Sequence, residues 1–355
     1  MWTLFISVSG YAGACPEYTH RKAKSIGAKE EKAMNNLVVS SSPHIRTKQT
    51  VSSIMLDVII ALIPASIAGV YFFGYRALAV ILTAVASCVL SEYLYQKIMK
   101  KPVSVRDLSA ALTGLLLALN LPVTIPLWMV VLGGAFAIII VKQLYGGLGK
   151  NFVNPALAAR CFMVVSWAGC MTAFTNPFMG YGADAISQAT PLAIIKGVSQ
   201  GVIPSLRDCL IGAKAGCIGE TSGVALLLGF LYLLIKKVID FRTPVFFIGT
   251  FAVLIYLFGD APTGMTQGYF TVLHILTGGL LLGAIFMATD YVTTPTTHFG
   301  RIIFGFGCGF LTFAIRKFGS YSEGVSFAIL LMNLVSPIIE RFTIVKPFGE
   351  VKKNG

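Results

Sequence analysis

Asp184, Ser187 and Thr190 stand in the stretch DAISQATPL, the longest polar interruption of an otherwise apolar chain. A hydroxyl at Ser187 or Thr190 can accept an orphan backbone N–H and so cap a short helix that starts at Pro191, a residue suited to the first helical position. That role leaves Asp184 unexplained and leaves a covalent modification open. A second set is Asn151 and Asn154 in GKNFVNPALAAR. The Asn-Pro step can simply begin a helix, but two amides three residues apart also offer donors and acceptors together. The pyrimidine edge of a flavin or a quinone carbonyl calls for such a pair. The third is Asp290 in FMATDYVTTPTTHFG. An acid at membrane depth is a functional candidate for holding a proton or a cation. At a membrane boundary it can equally be a solvated interfacial carboxylate.

The elements that must position these residues are apolar. Of 355 residues, 55% are hydrophobic and 12% charged, and the mean hydropathy is +0.78. Apolar runs of about 20 residues match the thickness of a bilayer core. Ten helical spans are expected, at about 51–73, 77–98, 107–122, 125–145, 155–175, 221–239, 243–259, 269–289, 300–317 and 324–343. The third, which stops at LNLP, and the eighth, which ends at ATDYVTTP, read as abbreviated or broken helices.

The net charge of +13 would suggest nucleic acid in a soluble chain. Here the basic residues cluster at the ends of apolar runs, so topology accounts for them and nucleic acid is not an expected partner. With the N-terminus inside, Arg46, Lys48, Lys97, Lys100, Lys101, Arg106, Lys142, Lys150, Lys236, Lys237, Arg242 and Arg301 fall on inner segments. Outer loops carry fewer: Arg76, then Lys196, Arg207 and Lys214, then Arg316 and Lys317. The positive-inside rule therefore places the 176–220 loop outside.

LTGLLLALNLP from Leu112 resembles LTGGLLLGAIF from Leu276, and VNPALAARCFM from Val153 aligns with VSFAILLMNLV from Val325, at offsets of 164 and 172 residues. Five spans per half is an odd number, so the second copy enters from the opposite side. The expected fold is an all-α integral membrane protein of about ten transmembrane helices, in two five-helix inverted repeats with broken helices near the centre. The organisation follows: 1–50 an inner N-terminal segment, 51–175 the first repeat, 176–220 the outer loop, 221–343 the second repeat and 344–355 an inner tail. Residues 1–33 have the look of a non-native start, with Met34 the candidate initiator.

Other motifs fail. GGLGK ending at Lys150 has Leu144 and Asn151 where a P-loop needs Gly and Ser or Thr. GFGCG at 305–309 lies inside an apolar run, where glycines let helices pack closely. No CxxC or Cys/His cluster has metal spacing. Cys88, Cys161, Cys170 and Cys308 read as packing residues, while Cys209 and Cys217 share a loop and could pair.

MNNLVVSSSPHIR, GKNFVNPALAARCFM, DAISQATPL, GAIFMATDYVTTP and EGVSFAILLMN, in this order, resemble the D subunits of the Rnf ion-translocating ferredoxin:NAD oxidoreductase complexes, which are related to the B subunits of sodium-translocating NADH:quinone reductase. The resemblance covers roughly residues 34–350. It implies FMN joined through its phosphate to the Thr190 hydroxyl by a dedicated flavin transferase, with Asp184 and Ser187 at the motif positions; Gln188 departs from the small residue usual there. A threonine on an outer loop is expected to be reachable by such an enzyme. The resemblance also implies a second, non-covalent flavin, riboflavin, at Asn151, Asn154 and Asp290. It implies an electron-relay subunit of a bacterial cytoplasmic-membrane complex that couples electron flow to sodium or proton export. Iron–sulfur and NAD-binding subunits, and membrane lipid, are the implied partners. From the residues alone, a secondary transporter or channel for a small solute, without flavin, fits broken helices and inverted repeats as well.

Overall fold

The computed structural model describes residues 49–178, 189–197, 203–262, 264–319 and 323–344. Among them the chain is helical and forms no β-strand. Besides short turns at Val105–Asp107, Ala168–Met171 and Ile218–Glu220, the helices are α1 Val51–Phe73, α2 Tyr75–Ile98, α3 Ser109–Leu119, α4 Leu127–Gln143, α5 Pro155–Ser166, α6 Pro191–Ile195, α7 Leu206–Ile211, α8 Gly223–Ile235, α9 Arg242–Phe258, α10 Gln267–Leu276, α11 Leu280–Met287, α12 His298–Phe318 and α13 Val325–Thr343. Every apolar run expected to be helical contains a helix. Among the described residues four helices, α1, α2, α12 and α13, are long and apolar enough to cross a membrane; α10 and α11 taken together make a fifth. The remaining five apolar helices are shorter, 10–17 residues. Large apolar side chains on the outer faces of α1, α2, α9 and α12, such as Ile67, Leu82, Leu257 and Phe306, are exposed. This is the surface of a multi-pass membrane protein, for which lipid replaces water.

Helix starts follow local chemistry. Thr50, Asn154, Thr190, Ser222 and Thr297 each accept a backbone N–H of the first turn they precede. Ser205 and Asp208 form a reciprocal capping box at α7. Close packing uses small residues. Gly305 and Gly309 lie one turn apart on α12, and a Cβ at either would strike the α9 backbone, at the carbonyl oxygens of Thr243 and Phe247 respectively. Gly229 brings α8 against the Ala61 carbonyl of α1 in the same way.

Three details differ from the sequence reading. The eighth span is broken in its middle rather than at its end: α10 and α11 meet at 61° across Thr277–Gly279. Gly278 and Gly279 have φ of +72° and +67°, a left-handed region that favours glycine. The fourth span passes from α-helix into a π-helix at Phe136–Gln143, which no residue pattern announced. Cys209 and Cys217 are buried free thiols, not a disulfide.

Candidate functional site

Asn154 builds its site through its role as a cap. Its side-chain oxygen accepts from the Ala156 and Leu157 N–H groups, fixing the start of α5, and its amide nitrogen donates to the Met287 carbonyl at the end of α11. Asn151 donates to the Val153 carbonyl. Asp290 lies in the turn after α11 and accepts from Thr293 Oγ1 at 3.0 Å. The structure brings all three together: they line one small cavity of about 50 Å³ with Ser109, Thr113 and Lys142. A second cavity of about 50 Å³ also reaches Asn154 and Asp290. Larger pockets, about 510 Å³ and 250 Å³, flank the 289–296 turn. The three residues therefore converge, but the cavity they share is well below the roughly 300 Å³ that ligand pockets offer. A flavin at this place would need a larger space than this cavity gives.

Lys142 and Glu92 escaped the sequence reading. Lys142 read as an inner topological charge, yet it is 2% exposed and sits 2.8 Å from Glu92, which is fully buried. Lys142 also donates to Ser109 Oγ, and Gln143 donates to the same Glu92 oxygen. In an α-helix neighbouring residues diverge around the axis; the π-helical turn lets Lys142 and Gln143 both meet Glu92. An acid inside the run 77–98 was the available signal.

The pocket of about 510 Å³ opens beside Asp240, whose carboxylate holds Arg242 at 2.7 Å and Arg301 at 2.9 Å. Partial burial raises the Asp240 pKa, but hydrogen bonds from Arg242 and Arg301 outweigh it and hold the carboxyl below the usual range.

Thr190 lies at the other end of the molecule. Arg301, beside the Asp290 turn, and Arg316, beside α6, are separated by about 22 Å along α12 at 1.5 Å per residue. Thr190 is 6% exposed, and its hydroxyl accepts from the Ala193 N–H as the cap of α6. The expectation that it is reachable is thus corrected for this conformation, because α6 docks on the α10–α11 break: Leu192 abuts Gly278. Asp184 and Ser187 lie outside the described residues.

The break itself is held by buried charge. Arg316 donates to the carbonyls of His274, Thr277, Gly278 and Glu323. Lys214 donates to the Leu276 carbonyl, and Glu220 accepts from the Gly278 N–H. These cations satisfy carbonyls that the end of α10 leaves without helical partners, and they sit where the helix dipole favours positive charge. Arg160 adds an ion pair to Glu323 and hydrogen bonds to Ser326 and Cys217. Cys217, Glu220 and Glu323 place their sulfur and carboxylate atoms within 4.8 Å of one another. Arg160 bonds two of the three, so the group is an ion-pair network rather than a cation site. Lys214 and Arg316, read from the sequence as outer-loop charges, are both 2% exposed.

Comparison with known proteins is consistent over nearly nine-tenths of the chain. It is 48% identical over 319 residues to the D subunit of the Na(+)-translocating ferredoxin:NAD(+) oxidoreductase complex of Acetobacterium woodii, covering 89% of this chain and 96% of that one. It is 45% identical over 328 residues to the D subunit of the proton-translocating ferredoxin:NAD(+) oxidoreductase complex of Clostridium ljungdahlii, covering 89% and 97%. The D subunit of the ion-translocating oxidoreductase complex of Salmonella enteritidis is 38% identical over 353 residues, covering 88% and 99%. Residues 38–349 match the NQR2, RnfD, RnfE family, and the chain belongs to that family.

Proposed function

We propose that this chain is the membrane electron-relay subunit of an ion-translocating ferredoxin:NAD oxidoreductase complex, carrying FMN esterified to Thr190. Near-full-length similarity to subunits whose names state a ferredoxin:NAD(+) oxidoreductase complex supports the assignment to the complex, and the stretch DAISQATPL supports FMN on Thr190. Bound at Thr190 on the outer side, FMN would supply the redox chemistry by which this chain relays electrons between reduced ferredoxin and NAD, with their free energy exporting sodium or protons. Iron–sulfur and NAD-binding sites belong to partner subunits, and a flavin transferase makes the ester.

Ten spans in two inverted five-helix repeats, with the 176–220 loop outside, form the frame of this proposal. The packing supports it. The first helices of the two halves, α1 and α8, pack together, as do the last, α5 and α13. Within each half the second helix packs on the fourth, α2 on α4 and α9 on α12. A two-fold relation between the halves produces such matched pairs.

FMN supplies one- and two-electron chemistry when bound. The chain's own task is to hold and shield it. Thr190 Oγ1 accepts the Ala193 N–H, a donor that would help hold the phosphate of an FMN esterified there. Because Thr190 is buried with α6 docked, modification precedes that docking or requires α6 to lift. Ion coupling is assigned to Asp290, half-buried in the turn after α11, and to the buried Lys142–Glu92 pair, since ionisable groups at membrane depth mark ion and proton paths.

The test is in-gel flavin fluorescence of the denatured chain co-expressed with a flavin transferase. The wild-type chain is expected to give a fluorescent band, and Thr190→Ala none. Loss of the cap costs the variant about 1 kcal/mol, so it still folds. A band that survives Thr190→Ala sinks the assignment. A second, non-covalent flavin at Asn151, Asn154 and Asp290 is expected as riboflavin released from the native chain by acid, and its absence removes that part alone.

A further inference from the structure

We infer that the outer pocket beside α6 seats the isoalloxazine ring of the flavin carried on Thr190, and that its cations favour the reduced, anionic ring. This rests on the FMN assignment above. The pocket, about 400 Å³, is lined by Ile195, Lys196, Phe270, His274, Arg316 and Lys317, among others, a size typical of small-molecule sites. It is assembled from segments distant in sequence: the end of α6, the end of α9, the face of α10 and the end of α12. All lie on the side that the charge distribution assigns to the outside.

Three observations point to a ligand of this kind. His274 is 4% exposed, and neither ring nitrogen has a hydrogen-bond partner among the described residues. A buried, unpartnered imidazole is costly unless something completes it. A neutral imidazole offers one donor and one acceptor, matching the alternating acceptors and N–H of a flavin pyrimidine ring. Next, Phe270 lies 4.5 Å from the His274 ring, centroid to centroid, giving the pocket an aromatic wall for a flat ring. Finally, three cationic side chains, Lys196, Arg316 and Lys317, face the pocket against one acid, Asp260, which lies 3.5 Å from Lys317 and is 91% exposed, so the lining keeps a positive excess. Lys196 is anchored on the Gly319 carbonyl and Lys317 on the Phe258 carbonyl, so both ammonium groups are held in place.

The reach is also right. Ile195 lies five residues beyond Thr190, about 7.5 Å along the helix, a span that the ribityl phosphate arm of FMN covers. A flavin ring that takes up two electrons and one proton is left with one negative charge. Fixed positive charge near it stabilises that form over the neutral oxidised ring.

The experiment uses the labelled full chain in detergent and three variants, Lys317→Gln, His274→Gln and the remote control Lys101→Gln. In-gel fluorescence first reports whether flavin is attached. Absorbance during reduction by dithionite then gives the midpoint potential of the attached flavin and its band positions. Lys317→Gln is expected to be fully labelled yet to disfavour the reduced form about tenfold, a shift of about 30 mV to more negative potential for a two-electron couple. His274→Gln is expected to move the absorbance bands, and Lys101→Gln to change nothing. Full labelling with wild-type potential and spectrum in both pocket variants overturns the inference while leaving FMN on Thr190 intact. An unlabelled wild-type chain overturns the FMN assignment, and the seat falls with it.

Discussion

Lys142→Met is expected to destabilise the detergent-solubilised chain by about 3–5 kcal/mol, the cost of leaving a buried carboxylate without its partner. Glu92 is fully buried, and its Oε1 accepts from Lys142 and Gln143 while Oε2 has no partner among the described residues. Removing the ammonium group strands the charge. The double variant Lys142→Met with Glu92→Gln is expected to recover most of the loss, because a neutral amide still accepts from Gln143 and no charge remains to be solvated. The buried free thiols Cys88, Cys161, Cys209, Cys217 and Cys308 supply the assay: a thiol-reactive fluorophore reports their exposure as the temperature rises. A single variant that unfolds at the wild-type temperature would show that water reaches the pair. A double variant no better than the single would show that the interaction does not reside in the charge.

Arg316→Met is expected to cost as much or more, and to do so at the other end of the molecule. The side chain is 2% exposed and donates to four backbone carbonyls. Its guanidinium also lies 4.9 Å from the Phe251 ring centroid. Charge-assisted hydrogen bonds contribute about 1.5–3 kcal/mol each in isolation, though they do not add. Losing all four leaves the α10–α11 break with unsatisfied carbonyls in a dry interior, and leaves Glu220 and Glu323 short of positive charge. Arg316→Lys is expected to rescue little, since one ammonium group cannot match a fork that reaches four acceptors. Because Leu192 abuts Gly278, the loss should also loosen α6. Limited proteolysis between α6 and α7 reads that directly, and a digestion pattern unchanged from wild type would separate the break from the Thr190 segment.

Much of the helical frame was legible because its causes are local. Apolar runs, Asn154-Pro155, Thr190-Pro191 and the glycines of GFGCG act through nearest neighbours or one helix face, and each appears in the structure where its chemistry required. The π-helical turn at Phe136–Gln143 and the bend at Thr277–Gly279 were not legible, because both depend on what packs against them. Gly278 reads as one glycine among 36 until Leu192, Arg316 and Glu220 are brought to it. Lys142, Lys214 and Arg316 look from the sequence like charges marking membrane sides, and a solvated lysine and a buried one leave the same letter. Burial is a property of partners far apart in the chain, such as Arg160 with Glu323.

By itself, then, the sequence determined that this protein is an all-helical membrane chain, where its helices begin, and which residues could carry a cofactor or an ion. The tertiary structure alone decided that Asn151, Asn154 and Asp290 share a cavity and that Thr190 is buried against a broken helix. It also decided that a set of cations is spent on backbone carbonyls rather than on water. The physical reason is that hydrophobicity and capping are set within a turn or two of chain. The cost of burying a charge is set by whichever distant groups the fold brings within hydrogen-bond distance.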